Sequence, residues 1–211
     1  MTDELSLLDW KRRITELYTE IRATPDKQAA WELWQATRAR LFREHPQSPV
    51  PAAQRAGYTG PHLYDYDPSW CLTASVEEIK PRRLEIVTSN VEVMAFSRFG
   101  LAHFAHAGDN LTLELYWLEG YGGGLFLPFA DATSGNETYG AGRYLLDTVK
   151  GADLGQRDGR LVVDFNFAYQ PSCAYDPRWT CPLAPPANRL SVAVRAGERI
   201  QMLPSPSLGP P

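Results

Sequence analysis

The sequence predicts a mainly β fold, an antiparallel β-barrel or curved β-sandwich, with an N-terminal α-helical hairpin. Apolar residues at the N-terminus recur every three or four positions, as on one face of a helix. Beyond residue 70, apolar and polar residues alternate with a period of two. Turns containing glycine, such as Asp158–Gly159, separate these runs, and many short strands joined in this way are typical of sandwiches and barrels.

Residues 1–46 are expected to form two antiparallel helices packed on the body. The first helix is predicted over residues 3–23, with a buried face made of Leu7, Trp10, Ile14, Leu17 and Ile21. Thr24 is the predicted N-cap of the second helix, with Pro25 in its first turn. That helix should end near Glu44, and its predicted buried stripe is Ala30, Trp34, Thr37 and Leu41.

Residues 47–203 are expected to form the β-rich domain. Prolines and glycines before residue 68 prevent long regular elements there and indicate a connector. Strands are predicted at residues 70–79, 84–87, 91–99, 101–106, 111–117, 125–129, 161–167 and 190–194. The tail at residues 204–211 is expected to be disordered.

Composition narrows the classes of partner. The 211 residues carry a net charge of −4 that is spread along the chain, so no basic stripe favours nucleic acid. No apolar stretch approaches the roughly 20 residues of a membrane helix. An acidic N-terminus without an apolar secretory region, and only three cysteines, predict a soluble cytoplasmic protein. A small-molecule ligand is the expected partner, and a homo-oligomer is compatible with the sequence.

Residues 125–189 are expected to hold the functional site. The stretch 131–145 places carboxylates, hydroxyls, an arginine and three glycines between apolar strands. Asp164 and Asn166 share one strand face because they are two residues apart, and Val163, Phe165 and Phe167 occupy the other. The polar face is therefore directed either to solvent or to a polar cavity.

Carboxylates are the predicted chemical groups of this site. Glu137 and Asp164 are the candidate catalytic residues, as acid, base or hydrogen-bond acceptor, and Asp131 is a further carboxylate. The predicted ligand-binding residues are Thr133, Ser134, Tyr139, Arg143, Tyr144, Asn166 and Tyr169. Arg143 would bind an anionic or carbonyl group. The alternative interpretation is structural: Arg143 pairs with a carboxylate of the chain and the other groups cap turns.

Neither a metal nor a cofactor is expected. Cys173 and Cys181 have seven residues between them and no histidine nearby, which is not a zinc-binding spacing. Ser134 does not lie in a nucleophile elbow. A disulfide between Cys173 and Cys181 is geometrically feasible, but a cytosolic setting argues against it.

Four runs of residues carry a resemblance to a known family. They are LFLPFADATSGNETYGAGRYL from residue 125, DFNFAYQPSCAY from residue 164, CPLAPPANRL from residue 181 and AGE from residue 196. Together they resemble the bacterial and archaeal family known as domain of unknown function 1684 (DUF1684). The resemblance covers about the last two-thirds of the chain, and Gln170 departs from it where asparagine is expected. It implies a bacterial protein and a link to carbohydrate metabolism, but no defined activity.

Three functions are compatible with these observations. The first is a polar pocket that binds a small molecule, in keeping with the implied carbohydrate link. The second is a hydrolase or isomerase that works through Glu or Asp acid–base chemistry. The third is a protein-interaction module that uses the helical hairpin.

Overall fold

The computed structural model describes residues 2–200 and confirms a mainly β chain with N-terminal helices. The helices are α1 (Asp3–Ala23) and α2 (Lys27–Glu44). The strands are β1 (Cys71–Val87), β2 (Val93–His106), β3 (Asp109–Leu118), β4 (Leu125–Phe129), β5 (Arg143–Asp147), β6 (Gln156–Arg157) and β7 (Arg160–Asp164). No helix in the described range is both long and apolar enough to cross a membrane. The predicted disordered tail lies outside the described residues.

These seven strands form one antiparallel sheet in the order β5-β4-β3-β2-β1-β7-β6. Strands β5 and β6 lie at opposite edges, so this sheet does not close into a barrel. The long strand β1 joins its two halves. Residues 71–74 pair with β7, which places Cys71 directly opposite Asp164, and the remainder pairs with β2.

Two breaks predicted from the sequence are irregularities inside continuous strands. The register of β1 against β2 shifts between Glu78 and Arg82, where Pro81 has no N–H to donate to the ladder. The register of β2 against β3 shifts between Arg98 and Gly100. Phe99 is one extra residue of β2 against β3, and residues 79–81 of β1 lie opposite Phe99 alone, so each irregularity interrupts the sequence pattern of its strand.

The predicted bounds of both helices agree with the structure, but the N-cap of α2 does not. Asp26, rather than Thr24, is the N-cap, and its carboxylate accepts hydrogen bonds from the backbone N–H groups of Gln28 (3.0 Å) and Ala29 (3.2 Å). Pro25 therefore precedes the helix. A carboxylate at this position satisfies free N–H groups and favours the helix dipole.

The hairpin and the sheet share one hydrophobic core. The buried hairpin residues in this core include Ile14, Leu17, Tyr18, Ile21, Ala30, Trp34 and Leu41. They pack with sheet residues such as Leu113, Leu127 and Leu145. Two predictions for the buried stripes are wrong: Leu7 is 44% exposed, and Arg38 is buried where Thr37 was expected. The buried stripe of α2 therefore includes a charged residue.

A buried ion pair accounts for that position of Arg38. Its Nε and Nη2 donate to one carboxylate oxygen of Glu198, at 2.8 and 2.5 Å. The other oxygen accepts from the Gln170 N–H and the Tyr175 hydroxyl, each at 2.8 Å. The guanidinium also lies about 5 Å from the centroids of three rings, those of Trp34, Phe42 and Tyr169. A buried charge is tolerated when it is paired and hydrogen-bonded in this way.

The predicted strand at residues 190–194 is wrong. Leu190 and Val194 are buried, which explains the alternating pattern, but the segment forms no ladder. It makes single backbone hydrogen bonds instead, such as Leu190 N–H to Ala130 O at 2.8 Å. Farther along, Gly197 has a φ of 75°, and a Cβ there would lie 2.8 Å from Phe165 O. The chain thus passes close to the end of β7 without pairing with it.

We expect Arg38→Met to lower the free energy of unfolding by about 3–5 kcal/mol, because it leaves the Glu198 carboxylate buried without its counter-ion. Methionine retains much of the apolar packing of the arginine stem. Arg40→Met, on the exposed face of the same helix, is the matched control and should change stability by less than about 0.5 kcal/mol. Urea denaturation measures both, and equal losses in the two variants would contradict a special role for Arg38.

Candidate functional site

Arg143 is fully buried at the start of β5. Its Nη2 donates to Asp131 Oδ2 at 2.9 Å and to Val194 O at 2.8 Å. Its Nη1 donates to the carbonyl oxygens of Ala196 and Glu198. Arg143 therefore pairs with a carboxylate of its own chain and with the backbone of the C-terminal segment, as the structural interpretation predicts.

Thr133 and Ser134 lie in the turn beside this ion pair. Asp131 Oδ1 accepts from the backbone N–H and the hydroxyl of Thr133, at 2.7 and 2.6 Å. The Asp131 N–H donates to Ser134 Oγ at 3.0 Å. These are turn-forming contacts of short polar side chains. These contacts hold the Asp131 carboxylate in the position in which it pairs with Arg143.

Glu137 lies nearer the surface, in a different cluster. Arg195 donates to both of its carboxylate oxygens, at 2.7 and 2.9 Å, and the Tyr64 hydroxyl adds a bond of 3.0 Å. The hydrogen bonds from Arg195 lower the pKa of Glu137. A carboxylate held ionised by a bidentate arginine is a weak proton acceptor.

The three tyrosines that were predicted to bind the ligand lie in two other parts of the structure. The Tyr139 hydroxyl lies 3.7 Å from Cys173 Sγ. Tyr144 and Tyr169 have ring centroids 5.8 Å apart and line a small cavity of about 60 Å³ with Arg38 and Lys150. Burial raises the pKa of Tyr144 and that of Tyr169 well above the usual value. Both phenols therefore remain protonated at neutral pH.

Asp164 and Asn166 are neighbours in the structure, but not because they share one face of a strand. Strand β7 ends at Asp164, and Phe165–Phe167 form a 3-10 turn, so the predicted strand over 161–167 is too long. Asp164 Oδ1 caps this turn, accepting from the backbone N–H of Asn166 at 3.0 Å and from its Nδ2 at 2.8 Å. The Asn166 side chain also accepts a hydrogen bond from the Asp67 N–H and donates one to the Asp67 carbonyl oxygen, each at 2.9 Å. Both side chains are buried rather than solvated.

Asp164 also lines a cavity of about 190 Å³ between the helical hairpin and strands β1, β6 and β7, here named the Asp164 cavity. Its polar lining is Arg22, Lys27, Cys71, Gln156, Arg157 and Asp164. Its apolar lining is Ile21, Leu154, Val162 and Phe167. Three cations therefore face one buried carboxylate. This is the combination of apolar walls and convergent polar groups that is typical of small-molecule sites.

Two of these cations have no carboxylate partner among residues 2–200. Lys27 Nζ donates only to the carbonyl of Thr24, at 2.8 Å, and the Arg157 side chain makes neither a hydrogen bond nor a salt bridge. Arg22 differs, since it lies 3.7 Å from Asp153 Oδ2. The cavity is therefore electropositive at its rim.

Burial raises the pKa of Asp164, although hydrogen bonds from Asn166 and Cys71 act in the opposite direction. Burial, followed by the charge of Asp164, raises the pKa of Cys71 to about 12, so this residue is a neutral thiol. Asp164 is thus a carboxyl group whose proton is retained to higher pH than usual. Such groups concentrate at functional sites.

Lys27, Cys71 and Arg157 were not predicted as site residues. Lys27 and Cys71 lie far from residues 125–189 in the sequence, and Arg157, although it lies within that range, belongs to no motif. The register of β1 against β7 places Cys71 beside Asp164, so the pairing of these strands was the signal needed to find it. Within the described range, no group of three or more His, Cys, Asp or Glu side chains is arranged to hold a metal ion.

A similar fold has been solved before. The chain is 31% identical to an uncharacterized protein from Haloarcula marismortui with a solution NMR structure, with a TM-score of 0.63. The similarity covers 86% of this chain and 98% of that one. No curated protein matches the chain.

The family resemblance extends over most of the described β region. A family model described as "Protein of unknown function (DUF1684)" matches residues 56–199, from the connector to the buried C-terminal segment. This range includes the Arg143–Asp131 ion pair, Glu198 and the strands of the Asp164 cavity, whereas Arg38, the partner of Glu198, lies before it. Since the match spans well over half of the chain, the protein belongs to the DUF1684 family.

Proposed function

We propose that this protein binds a small, anionic, hydroxyl-bearing molecule in the Asp164 cavity. The observation that carries the proposal is the pairing of a buried carboxyl group with a rim of cations, two of which have no carboxylate partner among residues 2–200. A carboxylate or phosphate on the ligand would pair with Lys27 and Arg157. Asp164 and the Gln156 amide would hydrogen-bond to its hydroxyl groups.

The size of the cavity limits the ligand. Its volume of about 190 Å³ is below the roughly 300–1,000 Å³ of pockets for drug-sized molecules. A molecule of a few carbons, such as a short hydroxy acid or a sugar-derived phosphate, suits this space. This class of ligand agrees with a role in carbohydrate metabolism.

A second candidate function is an isomerase that uses Asp164 as acid and base. The raised pKa of Asp164 favours this role, since proton transfer is most efficient when the pKa of the group lies near the working pH. Glu137 lies in the cluster of Arg195 and Tyr64, which favours chemistry with a single carboxyl group. Removal and return of one proton by the same group is the pattern of an isomerase.

Binding can be tested with glycerate and glycerol 3-phosphate, with glycerol as the neutral control, by NMR titration. We expect the two anions to shift resonances of residues that line the Asp164 cavity. Lys27→Met should weaken this binding by roughly 10- to 100-fold, the usual value of a charge-assisted hydrogen bond. Lys80→Met, at an exposed position of β1, is the matched control. Equal affinities in the two variants, or no shift with either anion, would contradict the proposal.

The state of Asp164 can be tested through the pH dependence of stability. Because burial raises the pKa of this carboxyl group, the folded protein retains a proton that the unfolded chain releases near its ordinary pKa of 3.8. The free energy of unfolding therefore decreases as the pH rises from that value through the raised one. Asp164→Asn lacks this titration, so its stability relative to wild type should increase over this range.

Urea denaturation at several pH values measures this difference. Glu137→Gln is a control of opposite sign, because Arg195 lowers the pKa of Glu137. Its stability relative to wild type should decrease as the pH rises towards the ordinary value of 4.5. A constant difference between Asp164→Asn and wild type would show that Asp164 does not have a raised pKa.

A further inference from the structure

Cys173 and Cys181 lie in contact, outside the lining of the Asp164 cavity. The backbone N–H of Cys173 donates to Cys181 Sγ at 3.4 Å. Cys181 is held in place by Ser89, whose hydroxyl accepts from the Cys181 N–H at 3.1 Å and whose N–H donates to the Cys181 carbonyl at 2.9 Å. Cys181 is 1% exposed and Cys173 is half-buried, so Cys173 is the more accessible residue of the pair.

The two sulfurs are chemically different. The Tyr139 hydroxyl lies 3.7 Å from Cys173 Sγ, whereas Cys181 Sγ accepts from the Cys173 N–H. The neighbouring Cys181 thiol and Tyr139 hydroxyl lower the pKa of Cys173 to about 6, and the neighbouring Cys173, together with burial, raises the pKa of Cys181. The accessible cysteine is therefore the thiolate, which is the nucleophilic form, and the buried cysteine holds the proton.

Residues that flank the two cysteines in the sequence line two cavities. Ser172, which precedes Cys173, lines the small cavity of Tyr144 and Tyr169. Thr180 and Pro182, which flank Cys181, line a groove of about 160 Å³ whose other walls are mostly apolar. Lys150 lines both, and its side chain is 50% exposed with Asp147 at 3.7 Å. The cavities lined by residues that flank the two cysteines therefore share one cation, which can pair with the carboxylate of a small molecule.

We propose that Cys173 and Cys181 form a redox-active dithiol that exchanges with low-molecular-weight disulfides bearing carboxylates. The Cys173 thiolate attacks one sulfur of the disulfide, the S–S bond breaks, and one thiolate leaves. Cys181 then attacks Cys173 Sγ, passes its proton to the departing thiolate, and closes the Cys173–Cys181 disulfide. In total, two protein thiols are oxidised and one small disulfide is reduced to two thiols.

Cys71 is an internal reference for this reaction. It is also partly accessible, but it lies opposite Asp164 in the β1–β7 ladder, and burial raises its pKa to about 12. Thiolate character controls the rate of attack on a disulfide. Cys173 should therefore react at neutral pH at least about tenfold faster than Cys71.

The test is to treat the full chain with glutathione disulfide at neutral pH and to follow intact mass and disulfide-mapped peptides over time. Wild type should lose two hydrogen atoms, carry no lasting glutathione, and contain a Cys173–Cys181 bond. Cys181→Ser should retain glutathione on Cys173, since no second thiol releases it. Cys173→Ser should show neither product, and Cys71→Ser should behave like wild type.

The wild-type result decides the matter even if a variant fails to fold. Modification of Cys173 no faster than of Cys71 would overturn the proposal. Wild type that keeps glutathione on Cys173 without forming the internal disulfide would also overturn it. The Asp164 cavity is not involved in this assay, so its outcome is independent of the ligand proposed above.

Discussion

The structure depends on two buried arginines that hold one irregular segment. Residues 194–199 form no strand, so their backbone and the buried Glu198 carboxylate need partners from elsewhere. Arg143 in β5 donates to three carbonyl oxygens of this segment, and Arg38 in α2 donates to Glu198. The hairpin, the sheet edge and the C-terminal segment are thereby joined by two buried ion pairs. Each arginine is costly to bury alone, and each is stabilised only when the whole arrangement has formed.

This arrangement also supports the turn that presents Asp164. The Glu198 N–H donates to Ala168 O at 2.7 Å, directly after the 3-10 turn that Asp164 caps. On the other side, Asn166 bonds the backbone of Asp67 in the connector. The Asp164 carboxyl group therefore rests on a framework that is fixed from two directions. A site held by such supporting contacts keeps its geometry without a ligand.

Sequence periodicity predicted the helices and most strands because apolar burial dominates there. It failed where isolated hydrogen bonds, rather than a ladder, satisfy the backbone. Residues 190–194 alternate in burial like a strand, yet single hydrogen bonds hold them. The polar stretch 131–145 was predicted to be a ligand site, but the buried Arg143–Asp131 pair accounts for much of its polarity. Conversely, Lys27 and Cys71 come near Asp164 only through tertiary packing, which no local pattern encodes.

Native-state hydrogen exchange tests most directly whether the C-terminal segment is an integral part of the fold. The amides to follow are those of Glu198, bonded to Ala168 O, and Gln170, bonded to the Glu198 carboxylate. Both should exchange only through global unfolding, with the same free energy as the core amide of Leu113 in β3. Exchange of Glu198 and Gln170 through local opening, at a free energy well below that of Leu113, would contradict the account.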